Sequence, residues 1–235
     1  MSSAGMSSAR RLHWLTLLTA MLVCPSLSAQ TPTYRLSVNT EEYPPFNYQI
    51  DGVIVGEATA RLRRAFDETG IDARFQLFPW ARAYTEARFR PDHCVYSTTR
   101  TPARELMFRW AGPLAINEWA ALARTDTTFT PTRLSELVGL RVGSFREDAI
   151  GDYAESRGIR IIRAPSERVN VARLEAGLLD VIVTGRATAE AIAAERHVVL
   201  RHLFTFAYMP LYLACHPSVP HHVMMRLQHV LRATP

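Results

Sequence analysis

From residue 33 onward, short runs of β-forming residues alternate with amphipathic helical stretches, and this alternation constrains the fold more than any other feature. TYRLSV (33–38), ARFQLF (73–78), HCVYST (93–98), LRVGSF (140–145), RIIRA, LLDVIVT (178–184) and HVVLRHLF read as strands. Between the first two, residues 56–69 place Ala58, Leu62, Ala65, Phe66 and Thr69 on one helical face and stop at Gly70. Pro79-Trp80 opens a helix to about Phe89, and Thr101 caps another that has Pro102 at its first position. Further helices are expected over 147–157, 166–176, 187–196 and 220–232. Strands and helices in this order argue for βαβ units and a largely parallel sheet, hence an α/β fold. Two extended runs, near 117–124 and 207–215, flank the second βαβ series. That is the pattern of one lobe inserted in another and joined by two hinge strands. The expected organisation is a first lobe of 30–116 and 211–235 and a second of 117–210.

Residues 1–29 read as a secretory signal peptide: Arg10 and Arg11, then the apolar run 12–23, then Pro25, Ser26, Ser28 and Ala29. The run is shorter than the ~20 residues of a spanning helix. Val23, before Cys24, is bulkier than a lipidation signal wants. Removing this segment takes the formal charge from +5 to about +3, with no basic block, which argues against nucleic acid as a partner. Lysine is absent, which excludes a lysine Schiff base or general base. Cys94 and Cys215 remain after export; a disulfide is permitted, but two separate buried thiols are the simpler expectation.

Two segments carry the functional signal. STTRTPARELMFRWAG (97–112) joins strand-end hydroxyls to a Thr-Pro turn and an arginine, while EEYPPFNY (41–48) is an aromatic, proline-stiffened loop after the first strand. Ligand sites in open α/β sheets lie beyond the carboxyl ends of the strands and between lobes. Ser97 and Thr99 are two apart and share a strand face, and the guanidinium of Arg104 is a planar fork suited to a carboxylate. His216, His221 and His222 match no metal-site spacing, and neither a P-loop, a dinucleotide fingerprint nor a nucleophile elbow is present. No metal, cofactor or catalytic residue is therefore expected.

On EEYPPFNY…DGVIVGE, FPWARA, CVYSTTRTPARELMFRWAGPL, LSELVGLRVGSF and LEAGLLDVIV, the chain resembles extracytoplasmic solute-binding proteins of family 3, the polar amino-acid type. The resemblance spans nearly all of the chain after the leader. It implies a two-lobe, type II periplasmic-binding fold that closes on a small, anionic ligand. It also implies a periplasmic monomer that serves an ABC permease or a membrane sensor. Arg104 would take the ligand carboxylate with Ser97 and Thr99, and Tyr43, Phe46, Trp80 and Arg82 would enclose the rest. Relatives hold the ligand amino group with a second-lobe aspartate. Counting from Asp180, that position falls near 184–186, where Gly185 or Arg186 stands. Asp148 or Glu147 is then the candidate substitute; otherwise the ligand lacks that group or carries extra negative charge. The alternative function is a periplasmic enzyme on the same fold, such as a cyclohexadienyl-type dehydratase, which would need a general acid in the cleft.

Overall fold

The computed structural model describes residues 34–233; the expected signal peptide lies outside them. In the first lobe the central strand is β1 (Arg35–Thr40), whose Leu36 and Val38 are fully buried. A short hairpin follows, β2 (Tyr48–Ile50) and β3 (Val53–Val55), which turns at Asp51 and Gly52, both at positive φ. Helix α1 (Glu57–Thr69) then leads to β4 (Asp72–Leu77), and α2 (Trp80–Phe89) leads to β5 (His93–Thr99). Strands β4 and β5 both lie parallel to β1, one on each side.

Two long strands, β6 (Arg109–Arg124) and β10 (Leu200–Cys215), pair antiparallel from Arg109↔Cys215 to Arg124↔Leu200. At one end β10 pairs with β5; at the other, β6 pairs with β9 (Val181–Gly185). The second lobe fills the interval with β7 (Val142–Phe145), α3 (Ala149–Glu155), β8 (Ile161–Ala164), α4 (Glu167–Glu175) and α5 (Arg186–Glu195). The chain closes with α6 (His221–Ala233), whose Val223, Leu227 and Leu231 pack into the first lobe's core. Eight strands form one sheet in the order β4-β1-β5-β10-β6-β9-β7-β8. One hydrophobic cluster fills the first lobe and two others line the faces of the second lobe's strands. Among the described residues no helix is long and apolar enough to cross a membrane.

Three expectations are corrected. The sheet is mixed, because β6 and β10 run out to the second lobe and back, and only the βαβ units within each lobe are parallel. The helix expected from Thr101 and Pro102 is only a turn and a 3₁₀ segment, Glu105–Met107, since the chain must re-enter the sheet at Arg109. The thiols are not separate. Cys94 and Cys215 stand opposite each other in the β5–β10 register and form a disulfide.

That bond closes 121 residues of chain, which contain the whole second lobe. Cross-links of this kind usually stabilise by about 2–4 kcal/mol, by restricting the unfolded chain. Replacing both cysteines with alanine should lower the urea midpoint accordingly. Thiol titration of the unreduced, denatured protein should find neither cysteine free; two free thiols would refute the pairing.

Candidate functional site: a cleft between the lobes

The first loop is built on backbone bonds that leave Glu41 and Tyr43 facing the cleft. Carbonyls of Pro45 and Phe46 accept from the N–H groups of Glu57 (3.1 Å) and Ala58 (2.9 Å), capping α1 where no side chain does. Gly56 permits this approach, because a Cβ there would sit 2.5–2.7 Å from those carbonyl atoms. Fully buried Asn47 donates to the Glu41 carbonyl (2.8 Å) and accepts from the Ser97 hydroxyl. Asn47 thus joins the loop to β5. Ser97 is itself at positive φ (56°), within a strand, beside a bulge in the β5–β10 pairing. Such backbone strain gathers at ligand sites.

Between the lobes, Glu41, Tyr43, Trp80, Ser97, Thr99 and Arg104 of the first face Asn117 on β6 and Phe145, Asp148, Ala149 and Ile150 of the second. The space left among them is about 20 Å³, room for about one water. The lobes are closed. Arg104 is 5 % exposed and has no carboxylate within ion-pair distance among the described residues. Its guanidinium donates to the carbonyls of Glu147 (2.5 Å) and Thr99 (3.4 Å) and lies 4.9 Å from the centre of the Tyr84 ring. Trp80 Nε1 donates to the same Glu147 carbonyl (2.9 Å). Two first-lobe donors therefore meet one second-lobe acceptor, at a residue of positive φ (59°).

Carboxyl groups dominate the rest of the cleft. Burial pushes the Glu41 carboxyl well above the usual range, and Asp148 and Glu167 push it further. Burial also raises Asp148, against the Ser144 hydroxyl, the Ile150 N–H and the Arg104 charge. Behind them, burial carries Glu167 up to about 8. Its oxygens lack a partner of good geometry, although Thr184 and Asn170 are near enough to moderate the rise. The Tyr43 hydroxyl accepts from Asn117 Nδ2 (3.0 Å) and is likewise raised by burial and the same acids.

Of the residues singled out in the sequence, Arg104, Ser97, Thr99, Tyr43, Trp80 and Asp148 line this cleft. Phe46 does not; it is buried in the first lobe's core, its ring 5.8 Å from that of Tyr43. Arg82 is at the surface, paired with Glu86 (3.0 Å) and stacked on Phe78 (3.8 Å). Gly185 has no room for an acid, since a Cβ there would collide with the Tyr43 hydroxyl and Asn117 Oδ1. Arg186 instead pairs with Glu190 (2.8 Å). Sequence reasoning missed Glu41, Asn47, Asn117 and Glu167. Glu41 opens the aromatic loop motif, a visible signal; Asn117 and Glu167 carry none until the lobes are assembled.

No family model matches the sequence, and no curated relative does. Solved structures do match. A histidine kinase sensor domain with similarity to periplasmic binding proteins is 19 % identical and superposes with a TM-score of 0.78 over 86 % of this chain and 90 % of its own. The arginine-bound form of truncated ArgBP from T. maritima gives 19 % identity and a TM-score of 0.76, over 86 % and 96 % of the two chains. The fold is that of a periplasmic binding protein. A Salmonella typhimurium periplasmic binding protein with high arginine specificity extends the likeness, at 16 % identity and a TM-score of 0.72 over 85 % and 92 %.

The buried acids give the protein a pH signature. The Glu167 carboxyl titrates higher folded than unfolded, so its contribution is complete below about pH 4.5 and is lost as pH rises through about 8. Over that interval stability should fall by up to about 1.4 kcal/mol per pH unit from this group alone. Urea unfolding at pH 5 and pH 8.5 should show a smaller loss for Glu167→Gln than for the native protein. Equal losses would place the proton elsewhere.

Proposed function

We propose that this protein is a periplasmic solute-binding protein. It closes its first lobe (30–116 and 211–235) and second lobe (117–210) on a small carboxylate-bearing ligand, an amino acid or related organic acid. The observation that carries this reading is Arg104: a guanidinium buried in the cleft, hydrogen-bonded to the backbone carbonyls of Thr99 and Glu147 and in no ion pair among the described residues. A buried cation without a counter-ion is held at considerable expense of hydration, and a carboxylate offers it two parallel, charge-assisted bonds. Ser97 and Thr99 lie beside it as hydroxyl partners, and Trp80 and Tyr84 close over it. The small free volume requires the lobes to part for entry, and β6 and β10 are the strands about which they would move. The ligand is released unchanged. Delivery goes to an ABC permease or to a membrane sensor, the latter supported by the likeness to a sensor domain. The amino-terminal segment is read as the export signal that takes the protein to the periplasm.

A thermal-shift screen of the protein against amino acids, dicarboxylates and keto acids tests this reading. A compound at 100 times its dissociation constant should stabilise by about 2.7 kcal/mol, and the melting temperature should rise by several degrees. Arg104→Ala should weaken binding by about 3–5 kcal/mol, as loss of one partner of a buried charge pair does. Unchanged affinity in that variant would remove Arg104 from the site.

A further inference from the structure

We propose that the free edge of β4 is a docking site for an extended, acidic segment of a partner protein, which adds to the sheet as a further strand. The site lies on the first lobe alone and does not depend on what the cleft binds. Strand β4 is one end of the sheet and pairs with β1 only. The Asp72 N–H donates to the Tyr34 carbonyl (3.0 Å) and the Phe78 N–H to the Thr40 carbonyl (2.8 Å), so the even-numbered residues address β1. Backbone groups alternate in direction along a strand. Those of Ala73, Phe75 and Leu77 therefore turn outward, with no partner among the described residues. Such a row is a ready template for another strand.

A groove of about 480 Å³ runs along this edge and is lined by consecutive residues, 74–78. Alternate side chains of a strand point to opposite faces, so only the edge presents such a run. The other wall is the hairpin, with Gln49 and the exposed Val53, and its β3 pairs with β2 alone. Charge selects the occupant. Arg63 and Arg74 line this groove and no acidic residue does. Arg74 is exposed and enters no ion pair or hydrogen bond among the described residues. Arg63 lies 4.5 Å from the centre of the Phe75 ring and donates to the Ile54 carbonyl (3.3 Å). Asp67 and Asp72 line only the adjoining groove, and Asp72 is already paired with Arg35 (2.5 Å). Arg63 covers the strand face that carries Phe75, and Arg74 belongs to the opposite face. Two neighbouring acids in an added strand, one to each face, would meet both arginines while its backbone bonds Ala73, Phe75 and Leu77. A second copy fits less well: antiparallel pairing about Phe75 would bring its own Arg63 and Arg74 to a groove already positive. A small anion would serve the arginines and leave the strand edge open.

Amide resonances of the isotope-labelled protein can decide this, with two end-blocked peptides as probes, Val-Thr-Glu-Glu-Val-Thr and Val-Thr-Lys-Lys-Val-Thr. In the free protein the amide hydrogens of Ala73, Phe75 and Leu77 should exchange with solvent faster than those of Arg74 and Gln76. The glutamate peptide at millimolar concentration should shift the first three resonances and slow their exchange several-fold, and the lysine peptide should do neither. Arg74→Glu, at an exposed position without a partner to lose, should weaken the glutamate peptide several-fold and let the lysine peptide bind. Ala73, Phe75 and Leu77 already protected in the free protein would overturn the proposal, and protection that grows with protein concentration would give the edge to a second copy instead. Inorganic phosphate that reproduces the shifts while the three amides still exchange freely would reduce the groove to a small-anion site and overturn the strand. No response to the glutamate peptide, or one that Arg74→Glu leaves unchanged, would overturn it as well.

Discussion

The cleft between the lobes is organised around a positive charge kept out of water. Arg104 stands on the turn after β5, at the seam between lobes, with two carbonyls as its hydrogen-bond acceptors. Burial of a guanidinium on such terms is unfavourable unless closing brings a better partner. Each lobe has its own hydrophobic core, and the cleft between them holds Arg104 and Glu41 buried without an ion-pair partner among the described residues. The carbonyl of Glu147 links the halves, accepting from both Arg104 and Trp80, so closing is registered at one peptide.

The rest of the fold holds that seam in place. The β6–β10 pair passes continuously between the lobes, tied to β5 at one end and to β9 at the other. The disulfide fastens β10 to β5 beside the point where β10 leaves the sheet. Asn47 does for the first loop what the disulfide does for the strand, by fixing Glu41 and Ser97 relative to each other. Opening motions of this kind bend a few strand residues and leave both cores intact.

Much of this was legible in the sequence, and the reasons differ from element to element. The helices at 57–69 and 80–89 announce themselves by periodicity and by a glycine or proline at an end. Arg104, Ser97 and Thr99 were legible because one local segment carries all three. The turn after Pro102 misled because capping residues say where a helix could begin, whereas the distance back to β6 decides whether it has room. Cys94 and Cys215 became a pair only through strand register. Glu41, Asn117 and Glu167 come from β1's loop, β6 and α4, and what makes them unusual is shared burial, which no local pattern records. Phe46 and Arg82 show the converse: residues adjacent to a site in sequence can serve the core or the surface instead.

The most direct test of a cleft anchored on Arg104 is a crystal structure of the protein with whichever compound raises its melting temperature most. The expected result is one ligand carboxylate about 2.7–2.9 Å from the Arg104 guanidinium, the length of a charge-assisted bond, enclosed by both lobes. A ligand seated in another pocket, or held in the cleft with its carboxylate turned away from Arg104, would contradict the account.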